Sequence, residues 1–123
     1  MRKYIITPAL LAIVCMVMCH CTFNRKASVA ANEYLIQGEL ANLPDSIVIG
    51  LYEEDGNILN CVLRDTLMNG QFSFRDTIST TRKMLIMSDN RGFPGTWLEV
   101  WIAPGEYIEI KGQDKLVKTW EVV

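Results

Sequence analysis

WLEVWIAPGEYIEIK, residues 97–111, alternates apolar and polar side chains on both sides of a Pro-Gly pair. Side chains of a strand point to opposite faces with period two, so the alternation predicts two half-buried strands. With Pro104-Gly105-Glu106 as a three-residue hairpin loop, Ile102 pairs near Ile108 and Val100 near Ile110. Leu98, Val100, Ile102, Ile108 and Ile110 then share one apolar face, while Trp97, Glu99, Trp101, Tyr107, Glu109 and Lys111 share the other. A loop one residue shorter or longer mixes the two sets. Aromatic rings interleaved with charges suit a docking surface or sugar stacking, which makes Trp97, Trp101 and Tyr107 the candidate docking surface. The plainer alternative is that these rings pack under another loop of the same domain.

Strand-like text extends upstream. Tyr34 to Leu40 ends at the turn chemistry of Asn42-Leu43-Pro44-Asp45. Ser46 to Tyr52 puts Ile47, Ile49 and Leu51 on one side. Glu53-Glu54-Asp55-Gly56-Asn57 lacks the alternating ligands and distal glutamate of an EF-hand loop, and reads as a solvated hairpin turn. Cys61 to Met68 and Gln71 to Arg75 flank Asn69-Gly70, the strongest hairpin signal in the chain, with Phe72 and Phe74 on one face. A two-residue turn there opposes Arg64 and Arg75; a loop one residue longer sets Arg64 near Asp76 and Asp65 near Arg75, and is preferred. Lys83 to Ser88 is the next strand. Short strands at regular spacing without a helical pattern predict an all-β domain, an antiparallel two-sheet β-sandwich over residues 33–123.

The chain has 123 residues and a net charge of -2, with half its residues hydrophobic. These values fit a single globular domain and argue against nucleic-acid binding, because no basic tract is present to neutralise phosphates. The first residues have a different character. Arg2 and Lys3 precede an apolar run from Ile5 to Met18, short of the ~20 residues a membrane-spanning helix needs. Residues 1–20 therefore read as a helical signal peptide and 21–32 as a polar tether.

Cys15, Cys19 and Cys21 cluster at the end of that run, beside His20. A zinc site built from them would put a charged metal inside a membrane-bound segment, so the cluster reads as targeting. Cys19 and Cys21 are the lipidation candidates, although neither follows the small residue that bacterial lipoprotein signals favour. Simple cleavage near Ala27-Ser28-Val29-Ala30-Ala31 is the rival. Without the signal the only histidine is gone, and with it any Ser-His-Asp or Cys-His pair. Cys61 has no Cys-x-x-Cys partner and reads as a small buried hydrophobe, with a redox-sensing thiol as the alternative. Glu99, Glu106 and Glu109 form no evident acid/base pair. No catalytic residue, metal or cofactor is expected.

The segments "YLIQGEL", "MNGQFSF", "WIAPGEYIEI" and "KTWEVV" together resemble a β-domain of unassigned function found in exported proteins of Gram-negative bacteria. In that family the domain precedes a thioredoxin-like module of the alkyl-hydroperoxide-reductase/thiol-specific-antioxidant type, and the whole proteins are thiol-disulfide oxidoreductases. The resemblance runs from Glu33 to Val123 and rests on Gly70, Phe72 and Phe74 of Gly-x-Phe-x-Phe and on Pro104-Gly105. It implies a non-catalytic accessory domain in the periplasm or on a lipid-anchored envelope protein. Its partners would be the membrane, through the signal or a lipid, and a thioredoxin-like or other envelope protein. The family's Cys-x-x-Cys motif has no counterpart here, so no redox role passes to any residue of this chain. A truncated product and a stand-alone accessory domain both fit that departure. The second functional expectation is a stand-alone envelope module that binds glycans or peptides.

Overall fold

The computed structural model describes residues 28–93 and 95–123. Residues 1–27, with the proposed signal peptide, Cys15, Cys19, His20 and Cys21, lie outside the described residues, as does most of the tether. Among the described residues eight strands run in chain order: β1 Glu33–Leu40, β2 Val48–Asp55, β3 Ile58–Thr66, β4 Gln71–Thr77, β5 Arg82–Met87, β6 Leu98–Ile102, β7 Tyr107–Gly112 and β8 Glu121–Val122. A 3-10 turn, Val117–Thr119, precedes β8.

The strands form two four-stranded sheets, β4-β1-β7-β8 and β3-β2-β5-β6, here called the β1 sheet and the β2 sheet. The expected all-β architecture with two sheets is present. It is not wholly antiparallel, because β1 and β7 run parallel, with Leu35 beside Tyr107 and Ile110 beside Gly38.

The inner faces form one core. Tyr34, Ile36, Leu40, Phe72, Phe74, Ile108 and Ile110 come from the β1 sheet; Ile49, Leu51, Met84, Ile86, Val100 and Ile102 come from the β2 sheet. Full burial of such a side chain contributes roughly 1.5–3 kcal/mol. Gly38 sits in the same row as Tyr34 and Ile36, and a Cβ there would overlap the Phe72 ring. That ring lies 5.5 Å from Phe74 and fills the space the glycine leaves. The chain after β7 also enters the core. Val117 and Trp120 are buried, and the Trp120 Nε1–H donates to the Asp114 carbonyl at 2.8 Å.

Both expected hairpins are corrected. β6 does not pair with β7: it pairs with β5, Met84 facing Val100, while β7 joins β1 in the opposite sheet. The connection is an arch from one sheet to the other. Glu106 Oε2 accepts the Ala103 N–H at 2.8 Å, Gly105 takes a φ of 79°, and the Gly105 N–H donates to the Glu33 carbonyl at 2.7 Å. At Asn69-Gly70 the turn has two residues, both with positive φ (51° and 75°), closed by reciprocal Met68–Gln71 bonds of 3.1 and 2.9 Å. This is the geometry a primed hairpin turn requires. The longer loop and its Arg64–Asp76 and Asp65–Arg75 pairs do not occur. Beyond one bridge the strands part, β3 onto β2 and β4 onto β1. Arg64 instead faces Gly50, and Arg75 Nη2 donates to the Ser28 carbonyl at 3.1 Å. The acidic segment does close a hairpin, but Glu53, Glu54 and Asp55 belong to β2 and the turn itself is Gly56-Asn57.

Candidate functional site

The arch separates the aromatic residues that the sequence placed on one face. Trp101, on β6, stands 65% exposed on the outside of the β2 sheet, and Trp97, just before β6, is 43% exposed. Tyr107 opens β7 and lies on the outside of the β1 sheet, across the core. The structure therefore brings Trp97 and Trp101 to one sheet and Tyr107 to the other.

Around Trp101 the register builds a row across the sheet. Trp101 faces Lys83 on β5, and Lys83 Nζ lies 3.3 Å from Glu54 Oε2 on β2. In the next row Leu85 is only 1% exposed, between Tyr52 and Glu99. The Tyr52 ring lies over Gly50, where a Cβ would collide with it, and its hydroxyl donates to Asp89 Oδ2 at 2.7 Å. Burial first, and then the bond to Asp89, push the Tyr52 pKa up to about 12. The loop that carries Asp89 is itself braced: Ser88 Oγ donates to the Val48 carbonyl at 2.7 Å, and Asn90 Oδ1 accepts the Val48 N–H at 2.9 Å.

Cys61 corrects a further expectation. It is exposed, not buried, because β3 is an edge strand and Cys61 faces outward beside Tyr52. Its Sγ lies 3.5 Å from the Leu63 carbonyl. A bulge, with Leu51 facing Leu63 but Tyr52 facing Cys61, leaves Val62 as the extra residue on β3.

On the β1 sheet the Tyr107 hydroxyl lies 2.8 Å from Gln37 Oε1 and 2.9 Å from Glu109 Oε1. One hydroxyl proton serves one acceptor. The carboxylate takes it, and the Gln37 amide completes the set by turning its NH₂ to the phenol oxygen. Burial and then the bond to Glu109 raise the Tyr107 pKa. Beside this trio runs a groove of about 490 Å³ lined by Glu39, Asp65, Gln71 and Ser73, among others. Asp65 closes one wall, accepting the Thr66 N–H at 2.9 Å and the Ser73 N–H at 2.8 Å.

Glu99 lies on β6, Glu106 in the arch and Glu109 on β7. Sequence reasoning missed the Tyr52–Asp89 and Tyr107–Gln37 contacts. Their partners lie far apart along the chain, and periodicity carries no such signal. With this geometry in hand, comparison with known protein families, curated proteins and solved structures returns no match. The fold and its two outward faces define the class alone: an all-β, two-sheet domain.

Proposed function

We propose that this chain is a non-catalytic accessory domain of an exported, envelope-associated protein of thiol-disulfide oxidoreductase type, docking a thioredoxin-like partner through the Trp97–Trp101 face. Residues 1–20 serve as its signal peptide, and Cys19 or Cys21 carries a lipid to the membrane. One observation supports the docking face above the others: Trp101, 65% exposed, stands on a regular strand beside the buried Leu85. Large exposed indoles on rigid strands are the residues that dominate protein interfaces. Trp101→Ala is expected to weaken binding to a purified thioredoxin-like module at least tenfold in a titration while shifting stability by no more than about 0.5 kcal/mol. Unchanged affinity removes this reading.

A second reading, a stand-alone envelope module for glycans or peptides, is favoured by the groove beside Tyr107. There a ring fixed by Glu109 and Gln37 borders a polar lining that includes Glu39, Gln71 and Ser73, an arrangement suited to hydroxyl-rich or backbone ligands. Glycan-array binding lost in Tyr107→Ala and kept in Trp101→Ala selects this reading over the first.

A further inference from the structure

Four strands lie at sheet edges: β3 and β6 in the β2 sheet, β4 and β8 in the β1 sheet. An edge strand offers a row of unpaired N–H and C=O groups to another chain unless something blocks it. Three of the four edges are blocked. β3 carries the Val62 bulge, and Asp65 takes the Thr66 N–H at 2.9 Å. On β4 the Ser73 N–H is taken by Asp65 at 2.8 Å and the Thr77 N–H by Asp76 at 2.7 Å. β8 is only two residues long.

β6 has no such device. Its five residues, Leu98–Ile102, include no proline and no inward-facing charge. Among the described residues no side chain bonds their backbone, and no strand pairs with their free side. The nearest block, Glu106 on the Ala103 N–H at 2.8 Å, falls one residue past the strand.

We infer that β6 pairs antiparallel with β6 of a second copy of this chain, across a twofold axis at Val100. Two four-stranded β2 sheets thereby join into one continuous sheet. The register selects this partner. Centred on Val100, Leu98 faces Ile102 on the inner side and Glu99 faces Trp101 on the outer side, each contact made twice by symmetry. The half-buried Leu98 gains cover, and the two cores run into each other. Centring on Glu99 would oppose two carboxylates, and centring on Trp101 would set Pro104, which has no N–H, opposite Leu98. The strand is thus its own complement in one register. A five-residue strand pair buries far less than a standard interface, so the dimer is weak and concentration-dependent.

Sedimentation velocity of the full chain in a mild non-ionic detergent, over a concentration series, tests the inference. Trp101→Lys and Trp101→Glu remove the same indole but place opposite charges against Glu99 of the other copy. Trp101→Glu, with two carboxylate pairs, is expected to raise the dimer Kd about tenfold over Trp101→Lys. Glu99→Lys combined with Trp101→Glu restores opposite charges and returns the Kd to within about threefold of Trp101→Lys. Circular dichroism confirms that each exposed-site variant is folded. Equal weakening by Lys and Glu, or no rescue by the double variant, overturns the register. A chain that stays monomeric throughout overturns the inference and leaves β6 to a strand from another protein. None of this rests on the thioredoxin-like partner, so an unchanged titration with Trp101→Ala leaves it standing.

Discussion

On the outside of the β1 sheet, Tyr107, Gln37 and Glu109 hold one another, and Arg75 reaches across to Ser28. On the outside of the β2 sheet, Trp101 reaches into solvent with no polar partner for its indole among the described residues, although Tyr52, two strands away, is tied to Asp89. The inward faces of the two sheets obey the same rule, apolar residues at every second position, and meet in one core. The core therefore says nothing about what distinguishes the two sheets. The difference between the sheets lies in their outward rows.

Each sheet also holds a glycine under an aromatic ring, and the two cases are set to respond differently. Gly38 lies beneath Phe72, which is 3% exposed inside the core; Gly50 lies beneath Tyr52 on the outer face. Gly38→Ala displaces a packed core ring and is expected to cost about 3 kcal/mol or more in thermal or urea denaturation. Gly50→Ala moves a ring on the outer face of one sheet instead of one packed between the two sheets, and is expected to cost about half as much. Equal losses would erase the distinction between inner and outer face.

Alkaline titration sharpens the comparison next. Burial first, then Asp76 and Glu53, raise the Tyr34 pKa from 10.0 to about 12, and Tyr52 moves the same way to about 12. A folded pKa above the unfolded one means the stabilisation is complete below pH 10 and is lost as pH rises from 10 through 12. Tyr34, the more deeply buried, withdraws at most about 2 kcal/mol over that window, and Tyr52 less, because solvent screens its charge. Denaturant midpoints measured from pH 9 to 12 are expected to be flat at first and then to fall. Tyrosine absorbance at 295 nm should show ionisation that coincides with unfolding.

A smaller effect separates the two hydroxyls. Among the described residues the buried Tyr34 hydroxyl has no hydrogen-bond partner, whereas that of Tyr52 has Asp89 at 2.7 Å. Tyr34→Phe is expected to raise stability by about 1 kcal/mol, and Tyr52→Phe to lower it by about 1 kcal/mol. A matching sign in the two melts would mean that the Tyr34 hydroxyl has found a partner, such as an internal water.

Alternation along residues 97–111 placed Val100, Ile102, Ile108 and Ile110 in the core, where they are. It could not say that β6 and β7 belong to different sheets. A hairpin keeps both apolar rows on one face of one sheet. An arch turns them toward each other across the core, and both arrangements satisfy the same period of two. The place of the Asn69-Gly70 turn was legible, since both residues adopt positive φ, but its two-residue length was misjudged from charge pairs that do not form because β3 and β4 part. The parting of β3 and β4 just beyond that turn was not legible, because it is fixed by β1 and β2, distant strands that a local sequence window leaves out. Trp120 escaped notice because it sits between a 3-10 turn and a two-residue strand, with no periodic neighbourhood to mark it. Of the proposed docking residues, exposure at Trp97 and Trp101 followed from alternation with charged neighbours. The separation of Tyr107 from them followed from the arch and was beyond reach.

The parallel pairing of β1 with β7 has a consequence for how the molecule assembles. Leu35 meets Tyr107, so β1 is completed by a segment made long after it, with β2 to β6 in between. The β2–β3 hairpin can close as soon as it emerges, and β4 can dock on β1 soon afterwards. The remaining side of β1 stays bare until β7 has been made. Closure over so long a separation slows folding, toward the roughly millisecond-to-second range of non-local β topologies. A nascent chain stopped before β7 therefore carries an open, apolar-backed strand edge, the state most prone to misassociation.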